Sequence, residues 1–152
     1  MSHSVTLIWG PPCGGKSTLV AQLASRGDVV LDPDLLHGAL SGLGPHDHDP
    51  TVSTFVRAAW DAVLRELQGS HSASGYVMAG VPTQSQRAEL SSVITSSRLV
   101  YADRATCHER ATATGRPAAW HHYIDRWHDL YEPDLPERSD PHVRTPYRHR
   151  RR

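Results

Sequence analysis

The residues best suited to chemistry sit near the start of the chain. Gly10, Cys13, Gly14, Gly15, Lys16, Ser17 and Thr18 fall in the run GPPCGGKST, directly after the apolar stretch VTLIW at 5–9. Glycines at these places let a loop turn its N–H groups inward, and a helix opening at Lys16 adds the partial positive charge of its N-terminus. Such a cradle takes an anionic phosphate. Lys16 is the sole lysine among sixteen basic residues. Its compact ammonium suits a tight loop, where the broad planar fork of arginine would fit poorly. Ser17 is the expected Mg²⁺ ligand, because magnesium keeps most of its waters and takes few protein oxygens beside nucleotide phosphates. Thr18 is expected near the α-phosphate, and Cys13 as a small residue that fits the loop.

Two further groups bear on the fate of a bound phosphate. Asp32 and Asp34 flank Pro33 after the apolar run Val29–Leu31. A carboxylate at the end of a parallel strand, beside the phosphate loop, can accept the proton of an attacking hydroxyl. Asp34 is the expected base, and it can also cap the helix after it; Asp32 is expected to bind a metal, water or substrate. Arg110 and Arg116 lie in RATATGRP, where Gly115 and Pro117 supply a hinge. Arginines carried by a closing segment can neutralise charge on a phosphoryl group in transfer while water is excluded. The run YVMAGV at 76–81 carries no carboxylate, so the acidic water activator of a motor ATPase is missing.

The elements that must position these groups alternate. Strands are expected at 5–9, 29–31, 76–81 and 99–102, with helices at 16 to about 26, 35–40, 52–68 and from about Thr83. Strand followed by helix, repeated, predicts an α/β fold: four or five parallel strands between helices. A fifth strand near 142–144 is weakly indicated. Helices at 104–114 and 117–131 form a lid, with Trp120, Tyr123, Ile124, Trp127 and Tyr131 on one face. The expected organisation is one domain over 1–138, with the lid at about 104–131, and a basic tail at 139–152.

At 152 residues and zero formal charge, with eleven histidines, no net field argues for nucleic acid or membrane. Two cysteines and the lack of a long apolar run point to a soluble, reducing, cytoplasmic setting. His46-Asp47-His48-Asp49, and His121 with Asp125 and His128, have spacings that suit a metal, but solvated polar surface is the better reading in a chain this rich in histidine.

The Walker A run with its strand and helix, the Asp-x-Asp after strand two, PTQSQR at 82–87 and ADRATCHERATATGRP together resemble the P-loop kinases of the polynucleotide kinase type. Small bacteriophage-encoded kinases acting on hydroxymethylated pyrimidines in DNA are similar. The resemblance, over about residues 5–131, implies ATP and Mg²⁺ as cofactors and a P-loop NTPase fold. It implies Asp34 as general base, Arg87 in substrate or phosphate binding, and Arg110 and Arg116 on the donor phosphates. Members often carry an acidic residue near Ala79 or Gly80 and another lid arginine near Thr114, both lacking here. The implied acceptor is a hydroxyl of a nucleic acid or nucleotide-like molecule, in a phage-infected host; separately, Arg144, Arg148 and Arg150–Arg152 with Tyr147 and His149 suit phosphate attraction and stacking, and equally a disordered basic terminus. Two alternatives stand beside it: a small-molecule kinase for a nucleoside, sugar acid or antibiotic, and a nucleotide-binding regulatory or ATPase module.

Overall fold

The structure, a computed structural model, describes residues 3–69 and 73–135. Strands β1 (Val5–Trp9), β2 (Val29–Leu31), β3 (Gly75–Ala79) and β4 (Ser96–Leu99) pair in parallel in the order β2-β3-β1-β4. The helices are α1 (Lys16–Leu23), α2 (Pro33–Ser41), α3 (Ser53–Gly69), α4 (Gln84–Glu89), α5 (Arg104–Ala113) and α6 (Ala119–Leu130), with a 3-10 turn at Pro50–Val52 ahead of α3.

The period-two alternation of β1 sets the layers. Val5, Leu7 and Trp9 point to one face, where they meet Leu31, Val77, Leu64 and Leu67 of α3 and Trp127 of α6. Ile8 points to the other face, against Met78 and Val20 of α1. The strand is apolar at the four buried positions, while partly buried Thr6 bonds through its hydroxyl to Ser96 at 2.9 Å. The path leaving β1 passes over β3 to reach β2, while the path leaving β3 crosses β1 to reach β4. Neighbouring strands thus send their loops in opposite directions, and a crevice opens at their carboxyl ends, where ligands of open α/β sheets bind.

Four boundaries differ from expectation. α1 ends at Leu23, since Ser25 and Asp28 close a turn through the Asp28 carboxylate. α2 begins at Pro33 and its cap is Asp32, whose Oδ1 accepts from the Asp34 N–H at 2.9 Å. β3 spans Gly75–Ala79, short of Val81. β4 lies three residues earlier than the apolar run suggests. It is an edge strand, exposed throughout, so it needs no apolar pattern and carries Ser96, Ser97 and Arg98 instead. The suggested strand at 142–144 and the basic tail lie outside the described residues.

Arg87 proves to be a structural pin. Its guanidinium lies 4.0 Å over the Trp9 ring and donates to the carbonyls of Val81 (3.0 Å), Pro82 (2.9 Å) and Glu132 (2.6 Å) and to the Asp134 carboxylate (3.0 Å). Its side chain is only 9% exposed. It therefore clamps the β3–α4 connection to the segment after α6. Arg87→Met keeps the stem but leaves several acceptors without a donor, so urea unfolding should show a loss of about 2–3 kcal/mol with nucleotide affinity little changed.

Candidate functional site

The phosphate loop begins where the backbone leaves no room for a side chain. Gly10 has φ +154°, and a Cβ there would sit 2.1 Å from the Val100 carbonyl oxygen. Gly15 takes φ +105° and turns the chain into α1, whose first N–H groups receive no side-chain cap. Uncapped donors at a helix start are available to an anion. Cys13 also has positive φ, 59°, and its carbonyl accepts from Arg110 Nη1 at 3.1 Å.

The Lys16 ammonium folds back over this loop and donates to the carbonyls of Gly10 (2.9 Å) and Pro11 (2.7 Å). Burial pushes its pKa down from 10.5 to about 8, against the opposing pull of Asp34 and Asp32. A buried cation bonded only to carbonyl dipoles gains most when an anion arrives.

Lys16 faces a cavity of about 700 Å³ lined by Cys13, Gly14, Gly15, Ser17 and Thr18 together with Asp32, Asp34, Arg110 and Arg116. Residues from the phosphate loop, the start of α2 and the α5–α6 pair thus converge. Gly10 contributes its carbonyl to Lys16 from beneath. Among the described residues, Asp32 and Asp34 are the only carboxylates lining the cavity, and Ala79 and Gly80 at the end of β3 add none. Arg87 is not brought there, because Trp9 and the backbone carbonyls hold it elsewhere.

The carboxylates differ. Asp32 is 8% exposed and spends Oδ1 on the α2 cap. Asp34, released from capping, sits in the first turn of α2. Its pKa is raised, chiefly by burial and then by Asp32, against the attraction of His48, Lys16 and Arg116. A raised carboxyl pKa makes a stronger base once ionised. Ser17 and Asp32 supply the hydroxyl and carboxylate oxygens that magnesium accepts beside nucleotide phosphates. The donor chemistry fits Mg²⁺, and the uncapped N–H groups and desolvated lysine fit a phosphate.

The two arginines occupy different places. Arg110 reaches the loop at Cys13. Arg116 lies 4.9 Å over the Trp120 ring, and its Nε and Nη1 are buried with no hydrogen-bond partner. A buried guanidinium edge without acceptors invites a planar or tetrahedral anion.

The histidine loop at 46–49 is not solvated surface throughout. His46 and His48 line the cavity, while Asp47 and Asp49 do not. His48 Nε2 lies 3.0 Å from Asp34 Oδ1, and its ring stacks on buried His37 with centroids 4.0 Å apart. Trp120 Nε1 donates to the His46 carbonyl at 3.0 Å, tying this loop to α6. The Asp47 N–H donates to the Gly44 carbonyl at 3.1 Å, so His46 sits in a turn, and no sequence periodicity marks the two imidazoles as cavity residues. His121 and Asp125 pair across to His108 of α5, at 2.6 and 2.8 Å, and join α5 to α6. No cluster of three or more metal-ligating side chains occurs among the described residues.

No protein-family model and no curated protein matches the sequence. Solved structures do. A gluconokinase from Sinorhizobium meliloti 1021 superposes with TM-score 0.54 at 18% identity, over 86% of this chain and 75% of that one. A shikimate kinase from Acinetobacter baumannii, in complex with shikimate, gives 0.53 at 16% identity, over 88% and 86%. TT1252 from Thermus thermophilus gives 0.54 at 18%, over 88% and 82%. At these identities the likeness is one of fold. The chain has the α/β P-loop fold, with a parallel four-stranded sheet flanked by helices. No helix among the described residues is long and apolar enough to cross a membrane.

The Lys16 pKa makes phosphate binding a proton-linked event. A bound anion restores the ammonium, so affinity is full well below a pH of about 8 and falls as pH rises through it. Calorimetry of ATP binding at about pH 8 in buffers of different ionisation enthalpy should show uptake of about half a proton, vanishing by about pH 6.5 and in Lys16→Ala.

Proposed function

We propose that this protein is an ATP-dependent kinase that transfers the γ-phosphate to a hydroxyl of a small molecule. The observation that carries the reading is the meeting of a phosphate loop, a base that is not a helix cap, and two arginines around one cavity. In this reading Lys16, Arg110 and the loop N–H groups hold the donor phosphates. The bond from the acceptor oxygen to the γ-phosphorus forms as the bond to the bridging oxygen breaks, and the hydroxyl proton passes to Asp34. Ser17 and Asp32 would hold Mg²⁺, which shields phosphate charge when bound. Arg116 stabilises the charge on the transferring group, and α5 and α6 act as a lid that excludes water.

Two facts favour a small acceptor over a polynucleotide. The solved structures of like fold include a gluconokinase and a shikimate kinase holding shikimate. The cavity volume, about 700 Å³, falls in the range of small-molecule sites, and the Trp120–His46 bond closes one wall of it. A nucleic-acid hydroxyl is the competing acceptor and belongs in the same assay.

The test is transfer of labelled γ-phosphate to a panel of sugar acids, cyclic hydroxy acids, nucleosides, 5′-hydroxyl DNA and hydroxymethylated DNA. Label on a small hydroxylated molecule is expected; label confined to polymer would replace the acceptor class, and no label despite nucleotide binding would replace the kinase by a regulatory module. On the acceptor so found, Asp34→Asn should lower kcat on the order of 10²–10⁴-fold while nucleotide affinity changes little.

A further inference from the structure

Trp120, Tyr123 and Trp127 fall at i, i+3 and i+7 of α6, and this one stripe of the helix lines the cavity. Two of the three have already spent their polar atom. Trp120 Nε1 donates to the His46 carbonyl at 3.0 Å, and Trp127 Nε1 donates to the Gly80 carbonyl at 2.8 Å. An indole has no other hydrogen-bonding group. What both rings offer a ligand is therefore carbon.

The stripe belongs to the end of the cavity where Asp34 sits. The Arg116 guanidinium lies 4.9 Å over the Trp120 ring, whose centroid is 5.8 Å from that of His48, and His48 Nε2 lies 3.0 Å from Asp34 Oδ1. Tyr123 meets Trp120 edge-on at 6.1 Å. Trp127 is tied to Gly80, just past β3, and β3 runs between β1, which leads into the phosphate loop, and β2, which leads into the two aspartates.

Polar groups nearby are largely taken up as well. Asp32 Oδ1 caps α2, and the His48 Nε2–H is taken by the Pro45 carbonyl at 3.0 Å. A molecule bearing many hydroxyls would be stripped of water against ring carbon, and each hydroxyl left without a partner lowers affinity roughly tenfold. A flat ring forfeits nothing there. It also gains the offset and edge-to-face contacts that aromatic groups make with one another.

We infer that the acceptor bears its hydroxyl on a flat, unsaturated ring, as in an aryl or heteroaryl alcohol, and that Tyr123, with Trp120 and Trp127, selects it over open-chain polyols. The inference rests on the kinase reading and narrows its acceptor class. The transfer itself is unchanged: the hydroxyl oxygen bonds the γ-phosphorus, ADP leaves with the bridging oxygen, and the proton passes to Asp34. The ring takes no part in bond making.

The experiment compares kcat/KM at saturating ATP for benzyl alcohol, hydroxymethylbenzoate and hydroxymethylpyridine against xylitol and ribonate, which are of similar size. Wild type, Tyr123→Ala and Tyr123→Phe are assayed, with ATP affinity measured alongside. Ring alcohols are expected to lead by about 100-fold or more, the equivalent of two hydroxyls left without partners. Tyr123 is 43% exposed, so its replacement leaves the core in place. For the best ring acceptor, Tyr123→Ala should raise KM about tenfold with kcat and ATP affinity little changed, and Tyr123→Phe should restore the wild-type KM. Polyols used as well as ring alcohols overturn the inference and leave the kinase reading standing. An unaltered KM in Tyr123→Ala does the same, and a loss that falls on ATP affinity instead gives the stripe to the nucleobase and overturns it too. A wild type that binds ATP and phosphorylates neither set overturns the kinase reading, and the inference with it.

Discussion

A lysine ammonium that faces a cavity with carbonyl dipoles as its hydrogen-bond partners lacks a contacting counter-charge, and the architecture around Lys16 is organised to hold it there. The loop that carries the lysine can wrap only because Gly10 passes against the Val100 carbonyl where no side chain fits. Val100 in turn is fixed by its N–H donating to the Trp9 carbonyl at 2.8 Å, extending the β1–β4 pairing by one residue. The edge strand, exposed and polar as it is, thus sets the floor of the phosphate loop. Packing of β1 on both faces gives this framework a close-packed base.

Two arginines and two aspartates join that lysine around the cavity. Arg110 touches the loop, and Arg116 stands off over Trp120 with two donors unsatisfied. Asp32 and Asp34 are neighbours divided in labour by a local backbone choice. With Pro33 at the first helical position and Asp32 as cap, the chain obtains one carboxylate that caps the helix and one spared from capping in a three-residue segment.

The phosphate loop and the strand–helix alternation were readable in the sequence because both depend on local signals: glycine spacing, a β-branched apolar run, a helical repeat. The cap at Asp32 was misassigned to Asp34 by a reading that started the helix two residues late, since both aspartates satisfy the same preference. β4 was displaced because an edge strand has no apolar face to announce it. Arg87 was expected at a ligand and instead secures backbone carbonyls over Trp9, a difference that depends on where residues 132–134 return in space. His48 was set aside as surface for the same reason: its partner Asp34 lies on α2, well separated along the chain, and only the tertiary path of the loop brings them together.

Trp120 has a spectroscopic consequence. Its indole is buried, lies beneath a guanidinium, and is flanked by the imidazoles of His46 and His48. Charged neighbours at such range shift and quench indole emission. The other buried indoles also have polar neighbours: Trp9 lies 4.0 Å beneath the Arg87 guanidinium, and Trp127 meets the His128 ring at 5.1 Å. The chain therefore carries two optical reporters at the wall of the cavity, Trp120 and Trp127, through which the arrival of a ligand becomes visible without any label.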